Sequence, residues 1–130
     1  MKYDPVNHPK HYVEQSAKLE PIMVLRYAPF DLGNAFKYII RAGHKDDYLQ
    51  DLKKAKWYLE CALETFTGSD DSIQWAYTHF FKAYGVMLAA FPNIPKVSMG
   101  IDAASIIEHC LNEVTSRIIK VECETKNSDK

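Results

Sequence analysis

Apolar residues recur at three- and four-residue intervals through most of the chain after residue 20, and no stretch alternates convincingly with period two. That pattern predicts helices and no strands. The clearest case is Leu52, Ala55, Leu59, Ala62, Leu63 and Phe66, one stripe of a helix expected from about Tyr48 to Phe66. Asp46 or Asp47 stands where its N-cap belongs, and Gly68 where it should end. A short helix is expected to begin at Pro21 and stop before Pro29. The next, capped by Asp31, should run to about Ala42, with Gly43 as its C-terminal glycine and Ala35, Phe36, Ile39 and Ile40 turned to the core.

Two further helices are expected. One spans about Ser72 to Phe91, apolar over a wide arc that includes Ile73, Tyr77, Phe80, Phe81, Tyr84, Met87 and Leu88. The other spans about Ser98 to Val121, with Ile101, Ala104, Ile107, Leu111, Val114, Ile118 and Val121 as its seam. The expectation is an all-α fold of about five helices in a bundle, with an ordered, non-helical N-terminal arm. The chain divides as one domain, 1–130: the arm at 1–19, core helices at 20–67, a C-terminal helical pair at 70–122, and a disordered tail at 124–130.

Composition changes this picture little. With 47% hydrophobic and 25% charged residues in 130, the chain can bury a core without disulfides. Its three cysteines lack CxxC spacing, which fits a reduced, cytoplasmic protein with Cys61 and Cys110 as small core residues. No apolar run is long enough to span a membrane. A net charge of -1 supplies no general attraction to nucleic acid, and no basic patch with interleaved aromatics is present, so no nucleic-acid partner is expected. The aromatic load of the Ser72–Phe91 helix exceeds one core face, which predicts a homo-oligomer formed through the aromatic C-terminal helices.

Local clustering of cations matters more than net charge. Asn34, Lys37, Tyr38 and Arg41 fall at i, i+3, i+4 and i+7, on one face of a helix. Lys45 follows Gly43, and the next helix presents Asp51, Lys54 and Tyr58 at i, i+3 and i+7. Antiparallel packing would gather Lys37, Arg41, Lys45 and Lys54 around Asp51. Such a set can hold phosphate, with arginine as a fork and lysine as a point charge. A solvated face with Asp–Lys pairs gives the same spacing. His8 and His11, in "NHPKHY", could be metal ligands, ligand contacts or structural. Pro9 keeps the segment extended and Lys10 is cationic, which favours ligand contact over metal. Phosphate-loop, dinucleotide and hydrolase motifs are absent.

The stretches "YDPVNHPKHY", "LEPI" and "GNAFKYIIRAGHKDDYLQDLKKAKWYLE" resemble a small phage-encoded family, largely uncharacterised and termed SaV-like, which includes a deoxynucleoside monophosphate kinase without a Walker loop. The resemblance covers roughly residues 3–66, and nothing after Asp70 resembles it. It implies a nucleotide kinase, with His8, His11, Arg41 and Asp51 as candidate catalytic residues. The implied ligand-binding residues are Asn7, Tyr12, Asn34, Lys37, Tyr38, Arg41, Lys45 and Lys54, with Tyr12 or Tyr38 stacking on a base. No cofactor is fixed; a kinase would take a nucleoside triphosphate as donor and admits Mg2+. The implied location is the cytoplasm of an infected bacterial cell. A sponge that sequesters a nucleotide signal of host defence, and a purely structural bundle, are the alternatives. Arg41→Ala is expected to lose nucleotide binding while the fold survives.

Overall fold

The structure is a computed structural model that describes residues 19–44 and 47–128. Among the described residues it is all-α, with five helices and no strand: α1 (Pro21–Leu25), α2 (Phe30–Arg41), α3 (Tyr48–Thr67), α4 (Asp71–Ala89) and α5 (Ala103–Ser128). The N-terminal arm lies outside the described residues. Among the described residues, no helix is long and apolar enough to cross a membrane.

Helix α3 is the centre. Its buried stripe of Leu52, Ala55, Leu59 and Ala62 follows the periodicity of the sequence. The helix packs most extensively against α2 on one side and α5 on the other. Asp47 caps it, accepting from the Gln50 N–H at 3.0 Å. Helix α2 turns Leu32, Ala35, Phe36 and Ile39 inward and ends at Gly43, whose φ of 88° is the left-handed conformation that glycine adopts without a Cβ clash. Helix α4 contributes Tyr77, Phe80, Phe81 and Leu88 to the core, and the turn after α1 leans on it through a Tyr27–Tyr84 stack at 4.5 Å.

Four expectations need correction. Asp31 is not the N-cap of α2, because Pro29 occupies that position; from the first turn, the Asp31 carboxylate accepts from the Leu32 N–H at 2.8 Å and from the Tyr77 hydroxyl at 2.8 and 2.9 Å. Helix α5 begins at Ala103, not Ser98, because Asp102 caps it, accepting from the Ser105 N–H at 3.0 Å and the Ser105 hydroxyl at 2.9 Å. The buried face of α5 is therefore Ala103, Ile106, Ile107, Cys110, Val114 and Ile118, while Ile101 stays exposed. Helix α5 also runs on to Ser128 where a disordered tail over 124–130 was expected. Residues 122–126 contain neither glycine nor proline, and the Thr125 hydroxyl donates back to the Val121 carbonyl at 3.0 Å. Of the two cysteines expected in the core, Cys110 is buried and Cys61 only partly so.

The segment between α4 and α5 ties the second half of the chain to α2. The Asn93 side-chain amide donates to the carbonyls of Ala42 at 2.9 Å and Ile40 at 3.3 Å, satisfying carbonyls that the helix end leaves open. Arg117 of α5 in turn donates to the Asn93 carbonyl at 2.7 Å.

Candidate functional site

The turn at Gly43 folds α3 back against α2, so that a polar face of each helix adjoins the other. Arg41 and Asp51 meet there as a two-point pair, Nη2 to Oδ1 at 3.2 Å and Nε to Oδ2 at 3.4 Å. The Asp51 side chain is 2% exposed and that of Arg41 is 35% exposed, so one end of the guanidinium remains open to solvent. The Tyr38 ring forms the floor beside this pair. Lys37 Nζ lies 4.6 Å from its centroid, Lys54 Nζ 5.3 Å and Arg41 Cζ 5.4 Å. Tyr58 stacks with the same ring at 6.0 Å.

Among the described residues, three cations thus share one aromatic ring, and one carboxylate pairs with one of them. The negative face of a π-system attracts each cation, but the cations repel one another. Such an arrangement is suited to a multiply charged anion, which relieves that repulsion.

Two hollows flank the cluster. One, of about 430 Å³, is lined by Tyr38, Gln50, Lys53, Lys54, Trp57 and Tyr58. The other, of about 410 Å³, lies against α1 and is largely apolar; Ile22, Leu25 and Phe30 line it together with Asn34 and Lys37. Neither is lined by a carboxylate among the described residues, and no group of three or more His, Cys, Asp or Glu side chains is gathered there to hold a metal.

The sequence-predicted residues divide into three groups. Lys37, Tyr38, Arg41, Asp51 and Lys54 come together. Asn34 sits one turn away, its amide donating to the Phe30 carbonyl at 2.9 Å, and faces the apolar hollow. Asn7, His8, His11, Tyr12 and Lys45 lie outside the described residues. Asp51 is not a free carboxylate, because Arg41 holds both of its oxygens. Arg41 accordingly has a structural duty that the expectation of a fold-neutral Arg41→Ala left out.

Sequence reasoning missed Gln50, Lys53 and Trp57. The signal was present: Gln50, Lys53, Lys54 and Trp57 repeat on α3 the i, i+3, i+4, i+7 spacing of Asn34, Lys37, Tyr38 and Arg41 on α2. Residues 6–60 match the model of a family described as a protein of unknown function, DUF3310. The matched segment contains α1, α2 and most of α3, and so every described residue of the cation cluster. No curated protein and no solved structure matches the chain.

Proposed function

We propose that the chain is a phage-type nucleotide-binding protein that holds phosphate at Lys37, Arg41 and Lys54, and that it acts as a nucleoside monophosphate kinase. The observation that carries the binding is the surplus of positive charge around Tyr38 among the described residues, where one carboxylate faces three cations. Charge-assisted contacts to phosphate are the strong ones, and guanidinium and ammonium groups supply them. The kinase reading draws on the phage-family resemblance and on the two hollows, of about 430 and 410 Å³, each of a size that small ligands occupy. Lys37 lines one hollow and overhangs the Tyr38 ring that lines the other. A donor and an acceptor placed in them would bring their phosphates to the same lysine, and phosphoryl transfer asks mainly for such positioning and charge neutralisation. Any Mg2+ would arrive with the triphosphate.

One observation favours a second reading. Among the described residues, neither hollow is lined by a carboxylate that could accept a proton from an attacking phosphate or orient it, and Asp51 is committed to Arg41. A non-catalytic sponge needs neither function. Incubating the protein with each deoxynucleoside monophosphate, ATP and Mg2+, then separating the products chromatographically, decides between them. Diphosphate formation that disappears in Lys37→Ala supports the kinase. Tight nucleotide binding without turnover supports the sponge, and absence of any nucleotide binding removes both in favour of a structural bundle.

The same proposal places the protein in the cytoplasm of an infected bacterial cell, as a homo-oligomer. Trp75, His79, Lys82 and Val86 fall on one line of α4, with Trp75 63% and Val86 84% exposed. A second copy of the chain is the occupant that the aromatic C-terminal helices suggest. Light scattering at micromolar concentration tests this, and a mass near 15 kDa would remove it.

A further inference from the structure

We propose that Trp57 is the platform on which the base of the bound nucleotide stacks, with the Gln50 amide on the same helix face reading the edge of that base. The inference rests on the nucleotide-binding function proposed above and adds to it which part of the ligand each helix takes. The hollow between α2 and α3 has two unlike ends. At one, Tyr38 is surrounded by Lys37, Arg41 and Lys54, each within 5.4 Å of the ring centroid, and stacks with Tyr58. That ring is engaged by its neighbours, so Tyr38 serves the phosphate end and is not the base platform. At the other, the Trp57 indole is 60% exposed although it belongs to a helix with a full apolar stripe of its own. It is held in orientation by a T-shaped contact with Tyr58, 5.0 Å between centroids at 82°.

A large, exposed and oriented aromatic ring beside a cluster of cations is the combination that binds a charged ligand carrying an aromatic group. Stacking uses the π-face that every base has, and the cations take the phosphate. Gln50 lies two turns before Trp57 and lines the same hollow, and its side chain offers both a donor and an acceptor. Inorganic phosphate or pyrophosphate would use only the cation end. A nucleotide uses both.

The test separates the two ends of the hollow. In a Trp75→Phe background, Trp57 is the sole indole of the chain and reports directly on its own surroundings. The four deoxynucleoside monophosphates should quench its fluorescence, while pyrophosphate should bind by calorimetry with little quenching. Trp57→Ala should weaken the nucleotides by about tenfold or more, within the range that base stacking on aromatic platforms supplies. It should leave pyrophosphate affinity unchanged, and Trp57→Phe should restore part of the loss. Nucleotide binding that survives Trp57→Ala at full strength would overturn the platform while leaving the phosphate site standing. Failure of the wild type to bind either probe would overturn both. A thymidine oligomer bound far more tightly than the mononucleotide would also overturn the proposal, because the indole would then serve a single-stranded nucleic acid.

Discussion

The Arg41–Asp51 pair gives two substitutions that should act in opposite directions on binding while both weaken the fold. Asp51→Asn removes the negative charge but keeps one acceptor oxygen for the guanidinium. The two contacts, at 3.2 and 3.4 Å, are long for a charge-assisted pair, and Arg41 is 35% exposed and can turn to water. The expected loss of stability is about 1–2 kcal/mol, below the roughly 3–5 kcal/mol that stranding a buried charge costs. Arg41→Ala does strand one, because the Asp51 side chain is 2% exposed, and it should cost the fuller amount. The double variant should then be more stable than Arg41→Ala alone. Anion affinity should separate the pair further. Asp51→Asn removes a charge that opposes the ligand, worth about 1 kcal/mol at several ångströms in a partly wet site, so pyrophosphate should bind several-fold more tightly. Arg41→Ala should bind it more weakly. Urea unfolding of the four proteins gives the stabilities, and calorimetry gives the affinities. An Arg41→Ala variant no less stable than Asp51→Asn, or an Asp51→Asn variant that binds pyrophosphate more weakly, would refute the account of this pair.

Asn93→Ala should lower stability by about 1–2 kcal/mol by leaving the Ala42 and Ile40 carbonyls without their donor, and Asn93→Asp should cost more because a carboxylate would face those oxygens; thermal melts of both variants check the order. Gly85→Ala should destabilise despite a helix-propensity gain of about 1 kcal/mol, since an added Cβ would sit 2.9 Å from both Cβ and Cγ of Met99, and a melt that rises instead would show that the Met99 segment yields freely. Burial pushes the Cys110 thiol from an ordinary 9.0 up to about 12, with Glu113 adding to the rise and Arg117 opposing it. An unfolded thiol ionises near pH 9 while the native one keeps its proton, so stability should fall between pH 8 and 10 with a slope approaching about 1.4 kcal/mol per pH unit at most, and Cys110→Ala should flatten that slope in urea titrations.

What the sequence revealed was what local rules govern. The α3 stripe, the Asp47 cap and the Gly43 turn each depend on residues within a few positions of one another, and all three appear where periodicity and capping chemistry put them. The start of α5 was misread because apolar periodicity from Ile101 onward overrode a stronger local signal, the Asp102–Ser105 cap. The fate of Asp31 was not legible, since its partner Tyr77 lies 46 positions away and the sequence offers an equally good local use for the carboxylate as a cap. At the site, helical spacing gathered Lys37, Tyr38, Arg41 and Lys54 correctly. It could not tell whether Asp51 would be a free carboxylate, because that depends on how closely α2 and α3 approach and on the burial that results. Trp57 was legible only in part: its place off the Leu52–Ala62 stripe and in line with Gln50, Lys53 and Lys54 is in the sequence, whereas the 60% exposure of its indole is a matter of tertiary packing.

The division between the matched and unmatched parts of the chain does not coincide with a division in the fold. The match ends at residue 60, inside α3, which continues to Thr67. Helix α3 presents its site residues toward α2, but its packing is shared with α5, which lies wholly in the unmatched half. The end of α2, from which Arg41 reaches Asp51, is fastened by Asn93 and through it by Arg117, also in that half. A pair of helices with one buried seam between them would leave the rest of the α3 stripe in water, and short helices depend on tertiary packing for most of their stability. In this chain the unmatched half supplies that cover and holds the α2 terminus in place. The cation cluster is thus carried by the matched residues, but its geometry depends on residues beyond them.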